Sequence, residues 1–350
     1  MKYLKHAVAL LITTVCLYIA FRGVNLEEAL QIFDKNRIRI LPLSVFTILC
    51  LGVMWVRAWR WKYFYQKQHK AGIGGLTVSN LIGFASNNIL PLRIGEMVRA
   101  LMARRKVAAP LSYTLATLFV ERFFDTLCVL LCLIIPLLFS RQFPPFVVKV
   151  GLIVAFVFSG GIIVLLILRG KPNLAMKMAL PVGRKIFPEH LFERFEHFLV
   201  TFTEGIKILR NGSAMWKITI ISFIHWWLVV FSYDCAFRGF SFDSLPWSAP
   251  YLTLGFVALG VALPSAPAFV GPIHAAIIYT LSEAYGIDKS VATGFAVIMH
   301  LLMMGPITFV GLAMMWREGL TLSQIRQKTD HLEEEGASEP VLQDGTGSLK

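Results

Sequence analysis

The chain has 350 residues, of which 56% are apolar and only 16% charged, a charge content too low for a soluble domain of this length. The net charge is +13, but the Lys and Arg residues flank long apolar blocks. Positive-inside topology and contact with anionic lipid head groups account for them there, so nucleic acid is not the expected partner. The apolar blocks also exclude a transmembrane barrel, which is built of short alternating strands.

Six blocks are long enough to span about 30 Å of hydrocarbon as helix: Leu4 to Ala20, Ile40 to Val56, Leu111 to Phe139, Phe146 to Leu168, Met215 to Phe237 and Val291 to Trp316. The start, Met1-Lys2-Tyr3-Leu4-Lys5, could open a signal peptide. No small-x-small cleavage site follows, so the first block is expected to stay as a helix with its N-terminus inside. The first loop is nearly neutral, because Arg22, Lys35, Arg37 and Arg39 are mostly offset by Glu27, Glu28 and Asp34. Arg57, Arg60, Lys62, Lys67 and Lys70 follow the second block and read as a strong inside signal.

The segment Gly72 to Leu90 is the ambiguous one, because Arg93, Arg99, Arg104, Arg105 and Lys106 come directly after it. If it spans, parity puts this cluster and the basic stretch 169–214 outside. If Gly72 to Lys106 instead enters and returns as a hairpin, every basic cluster lies in the cytoplasm. The hairpin is the expectation. Leu111 to Phe139 then runs outward and Phe146 to Leu168 inward. Residues 169–214 become a basic cytoplasmic connection, in which Leu191, Phe195, Phe198 and Phe202 recur at helical spacing among charges, as in an amphipathic interfacial helix. Met215 to Phe237 runs outward. Ala249 to Leu263 and Ile273 to Tyr285 flank Pro264-Ser265-Ala266-Pro267 and form a second hairpin, entering from outside. Val291 to Trp316 returns to a cytoplasmic C-terminus. After Thr329, Glu333, Glu334, Glu335, Glu339 and Asp344 among Gly and Ser describe a disordered acidic end. The membrane domain is therefore read as residues 1–318 and the tail as 319–350. All five cysteines lie inside apolar blocks, with no disulfide or metal-site spacing.

The two hairpins share a pattern: Gly83-Phe84, Leu90-Pro91 and Gly95-Glu96 against Gly255-Phe256, Leu263-Pro264 and Gly271-Pro272. One enters from each side. The expected fold is an all-α integral membrane protein of about six spanning helices plus two re-entrant hairpins in an inverted repeat, whose broken helices meet near the midplane.

The residues that could carry chemistry cluster at these hairpins and in the helix after the first. Asn87, Asn88, Arg93, Glu96 and Arg99 lie on the first hairpin. Arg93, Glu96 and Arg99 share one side of a short helix, either as solvated charges or as a cytoplasmic pocket whose planar guanidinium forks take phosphate. Glu121-Arg122-Phe123-Phe124-Asp125 lies about 15–20 Å along its helix, where charges are tolerated only when they face protein or water. Glu121 and Asp125 share a face, and Arg122 reaches Asp125. They form either a structural clamp or part of a pathway. His225, His274 and His300 lie in apolar segments without metal-ligand spacing, and His274 follows the second hairpin's tip. No Walker A loop, His-Glu-x-x-His or nucleophile elbow is present.

The run Asn88-x-x-Pro91-x-Arg93-x-Gly95-Glu96-x-x-Arg99, then Glu121-Arg122-x-x-Asp125, then Pro264 through Gly271, resembles the flippase-like membrane domain of the lysylphosphatidylglycerol synthase family over about residues 4 to 318. The catalytic aminoacyl-transferase domain of larger members is not expected here. The resemblance thus implies a translocase that moves an anionic or lipid-linked polar head group between leaflets of the cytoplasmic membrane, rather than an enzyme. It implies no cofactor. The partners would be an anionic phospholipid or an isoprenoid-type lipid, with lipid-synthesis enzymes alongside. At the second hairpin Pro267-Ala268-Phe269-Val270-Gly271 departs from the family's Pro-Gly-Gly-x-Gly followed by Glu, so aminoacylated phosphatidylglycerol is not assumed as cargo. The alternative is an intramembrane enzyme on a lipid head group, with Glu121 or Asp125 as general base and His274 or His300 as partner.

Overall fold

The computed structural model describes residues 2–30, 32, 38–65, 69, 71–90, 94–139, 145–170, 177, 180–185, 188–263 and 265–321. Arg93, Pro264 and the acidic tail beyond 321 lie outside the described residues. Among those described there are helices and turns and no strand. The protein is an all-α membrane protein. Its helices, in chain order, are α1 (Lys2–Phe21), α2 (Leu26–Leu30), α3 (Ile40–Lys62), α4 (Ile73–Ile89), α5 (Gly95–Val107), α6 (Leu111–Phe139), α7 (Pro145–Gly170), α8 (Glu189–Ile206), α9 (Gly212–Gly239), α10 (Ser248–Ala262), α11 (Pro272–Tyr279) and α12 (Lys289–Arg317).

The long apolar blocks became the long helices, with ends set by local chemistry. Asn211 caps α9 by accepting from the Ala214 amide, and Asp288 caps α12 by accepting from the Ser290 and Val291 amides. By length and composition α3, α9 and α12 can each cross a membrane. Large apolar side chains such as Leu10, Ile40, Phe156, Phe309 and Trp316 stay exposed on the outer surface, which suits a hydrocarbon surround. Inside, Phe237, Phe240 and Phe242 pack their rings around Phe295 at 5.2–5.4 Å, joining α9 to α12.

In each of the two regions expected as hairpins, the paired helices pack against each other. Helices α4 and α5 have 17 and 13 residues, about 25 and 20 Å of helix. They pack backbone to backbone: a Cβ on Gly95 would lie 2.1 Å from the Gly83 carbonyl oxygen, so both positions require glycine. Gly75 near the start of α4 meets Lys106 near the end of α5. The chain therefore leaves the hairpin where it entered. At the turn, the Asn87 side-chain oxygen accepts from the Gly95 amide at 2.8 Å. The second hairpin pairs α10 with α11, and Gly260 lies against the Pro272 backbone. Its tip holds a short 3-10 turn, Pro267–Phe269, with Ala268, Phe269 and Gly271 at positive φ. Gly271 also sits where a Cβ would press on the Thr13 carbonyl of α1.

The packing obeys a two-fold exchange of α3–α6 with α9–α12. Helix α3 packs on its counterpart α9. The neighbours α3 and α4, α4 and α5, and α5 and α6 correspond to α9 and α10, α10 and α11, and α11 and α12. The crossed contact of α4 with α12 matches that of α10 with α6. Helix α1 packs on α11, and the second hairpin's tip rests on α4. The amphipathic helix expected around residues 191–202 is α8, which packs along α6.

Candidate functional site

A cage of ionised groups lies buried in the first repeat. Glu121 and Asp125 project from one face of α6, four residues apart, and both are buried, Glu121 completely. Arg99 of α5 clamps Glu121 with both terminal nitrogens, at 3.1 and 2.7 Å. Arg57 of α3 bridges the two carboxylates, with Nε 2.6 Å from Glu121 Oε1 and Nη2 2.5 Å from Asp125 Oδ2. Arg60, one turn further along α3, donates to Asp125 Oδ1 at 2.7 Å and to the Ser222 hydroxyl of α9 at 3.2 Å. The Trp226 indole of α9 donates to Asp125 Oδ1 at 3.1 Å. The Arg99 guanidinium also lies 4.1 Å from the centre of the Trp61 ring, a favourable cation–π position.

One side of the cage is open. Arg122 and Glu96 pair with each other at 43% and 36% side-chain exposure. Arg122 also stands 3.6 Å from Asp125, and Glu96 stands 3.9 Å from Arg99, so this pair forms a rim continuous with the buried core. The whole assembly sets four guanidinium groups, of Arg57, Arg60, Arg99 and Arg122, against three carboxylates, of Glu96, Glu121 and Asp125. One positive charge is left over. In low dielectric, where charges demand partners, such an imbalance favours an anion at the accessible edge.

A second polar cluster lies under the tip of the other hairpin. His274 of α11 and His300 of α12 are buried and joined, Nε2 to Nδ1, at 3.2 Å. His300 Nε2 reaches the Ala268 carbonyl at 2.9 Å, and His274 Nδ1 receives the Gly271 amide. The Asn88 amide of α4 donates to the Thr308 hydroxyl of α12 at 2.8 Å. These side chains stand at a cavity of about 550 Å³ whose remaining lining includes Val270, Val297, Leu301, Met304, Phe309 and Leu312.

The candidates named from sequence therefore fall into two groups. Arg99, Glu121, Asp125, Glu96 and Arg122 are brought together in the cage and its rim, and Asn88 and His274 are brought together at the cavity. Asn87 serves the turn of the first hairpin. Arg93 and Pro264 lie outside the described residues. The sequence reading treated Arg57 and Arg60 as flanking cytoplasmic charges; both are instead buried and supply half of the cage's cations. A signal was available, since two carboxylates on one helix face need more than Arg122 for balance, and Arg57 and Arg60 share a face of a neighbouring helix. Thr308 carried no such signal.

The family model for the lysylphosphatidylglycerol synthase transmembrane region matches residues 6–311. A UPF0104 membrane protein from Methanocaldococcus jannaschii is 24% identical over 230 residues, which cover 66% of this chain and 92% of that relative. No solved structure matches.

Proposed function

Because the chain belongs to the lysylphosphatidylglycerol synthase transmembrane-region family, we propose that it is a lipid translocase that carries an anionic head group between the leaflets of the cytoplasmic membrane. The observation that carries this reading is the unbalanced positive charge of the cage, together with its half-exposed Glu96–Arg122 rim. A phosphate arriving at the rim can engage both prongs of the Arg122 guanidinium fork, whereas Glu96 takes only one of them. The lipid tail stays in hydrocarbon. Two hairpins related by the repeat give the head group a protein-lined polar route, as in transporters whose broken helices meet at the centre.

The head-group enzyme is the weaker reading. A general base needs a free lone pair facing substrate. Here both oxygens of Glu121 and both of Asp125 accept from arginine, and one also accepts from Trp226. In this reading the chain needs no cofactor, its ligand is a membrane lipid and lipid-synthesis enzymes supply the cargo. On the same reading the exposed basic residues Lys62, Arg105 and Lys106 face the cytoplasm, with both termini.

The test is a liposome assay with a fluorescent phosphatidylglycerol whose outer-leaflet copies are bleached by dithionite. Liposomes holding the protein should lose nearly all fluorescence, and empty ones about half. Identical curves would refute translocation.

A further inference from the structure

We infer that the cavity between the second hairpin's tip and α12 is a separate lipid site, which recognises an uncharged lipid through a free hydroxyl group. The argument is an accounting of hydrogen-bond capacity at its polar end. The Ala268 carbonyl can only accept, so His300 carries its proton on Nε2 and offers a lone pair at Nδ1. His274 must then donate from Nε2 to that lone pair, which leaves its own Nδ1 to accept from the Gly271 amide. Both imidazoles are neutral, and all four ring nitrogens are committed within the protein.

The other two polar side chains are not both satisfied. Thr308 donates its hydroxyl proton to the Met304 carbonyl at 2.7 Å, so it must accept from Asn88. That fixes the Asn88 amide with its nitrogen toward Thr308. Asn88 is only 8% exposed, and its shielded oxygen has no hydrogen-bond partner among the described residues. A buried amide oxygen without a donor is costly, so it selects a ligand that brings one. A hydroxyl does so, and the same group can accept the remaining amide proton. A fully ionised phosphate offers acceptors only and adds negative charge.

Charge and shape agree with this assignment. None of the cavity's described lining residues is Lys, Arg, Asp or Glu, so nothing there balances an anion. The rest of the wall is apolar. Leu301 and Phe309 are 65% and 76% exposed on the outer face of α12, which lets a hydrocarbon tail run out into the bilayer while its hydroxyl turns in to Asn88. The ligand class is a lipid with one small uncharged, hydroxyl-bearing end. The site thus differs in chemistry from the cationic cage and does not depend on translocation.

The experiment reads binding alone. The full chain in liposomes is irradiated with a diacylglycerol that carries a diazirine on one acyl chain, and labelled peptides are mapped. Labelling should concentrate on residues 297–312. Excess unlabelled diacylglycerol should displace it, whereas phosphatidic acid with the same chains, differing by phosphate in place of the hydroxyl, should not. Leu301→Trp narrows the cavity at a largely exposed position and should abolish the label. Asn88→Leu should weaken it about fivefold, the size of one hydrogen bond. If Asn88→Leu fails to fold, the competition and Leu301→Trp still decide. Equal displacement by phosphatidic acid overturns the hydroxyl assignment. Labelling of 297–312 that Leu301→Trp leaves unchanged, or labelling spread evenly over the lipid-facing helices, overturns the site.

Discussion

Glu121 shows how a residue's role changes once its partners are known. From sequence alone, Glu121→Gln looks mild, with the fold kept near wild-type stability and only transport impaired. With three guanidinium groups within 2.6–3.4 Å of its carboxylate, the expectation is different. Neutralising it leaves Arg57, Arg60 and Arg99 facing Asp125 alone, and breaking a buried pair this way costs about 3–5 kcal/mol. Losing Arg99 has a smaller expected effect, because two buried cations then face two carboxylates. Denaturation of Glu121→Gln and Arg99→Met in detergent should thus show the carboxylate variant as the less stable. The double variant should recover about 0.5–3 kcal/mol relative to the sum. A greater loss from Arg99→Met would contradict the charge balance described for the cage. The sequence showed which residues were charged at depth but not their neighbours: Arg57 and Arg60 look the same on paper whether they end a helix at the membrane surface or fold back into its core.

At the scale of elements, the hairpins were legible from two signals. Parity of basic clusters demanded a return to the same side for the first, and Pro264-Ser265-Ala266-Pro267 marked the turn of the second. The closeness of the approach was not legible, because it depends on which turns of α4 and α5 meet. It makes a firm prediction. Gly95→Ala places a methyl group against the Gly83 carbonyl and the Asn87 side chain. Overpacking of this kind typically costs about 1–3 kcal/mol, and here rigid backbone on the other side leaves little room to relax. Gly74→Ala on the same hairpin meets nothing within 4 Å and serves as control. Thermal melting should show a clear drop for the first and none for the second; equal melting temperatures would mean that α4 and α5 do not pack as described. The tip of the second hairpin was less legible still, since its positive-φ residues Ala268 and Phe269 are not glycines and left no mark in the sequence.

For the whole molecule, the two-fold exchange of α3–α6 with α9–α12 links fold to function. The halves keep the same packing plan but different chemistry: arginines and carboxylates in one, two neutral histidines in the other. The plan was readable in part from the Gly-Phe and Leu-Pro matches, while this division of labour was not, because it rests on contacts between α4 and α12 and between α3 and α6. The orientation predicts that Lys62→Cys and Arg105→Cys, both at exposed positions, are shielded from a membrane-impermeant thiol reagent on intact cells and react once the membrane is opened. Reaction of Arg105→Cys on intact cells would mean that α4 crosses the membrane.

The most direct test of the central claim compares two head groups in one preparation. Transfer of fluorescent phosphatidylglycerol and phosphatidylcholine is measured in liposomes holding the wild type or Arg122→Gln. Arg122 is half exposed, so its loss should leave the melting temperature close to wild type. If the surplus positive charge at the rim selects the cargo, the wild type moves the anionic lipid faster, and Arg122→Gln loses that preference. Equal rates for both lipids in the wild type, or an undiminished preference in a folded Arg122→Gln, would contradict the account.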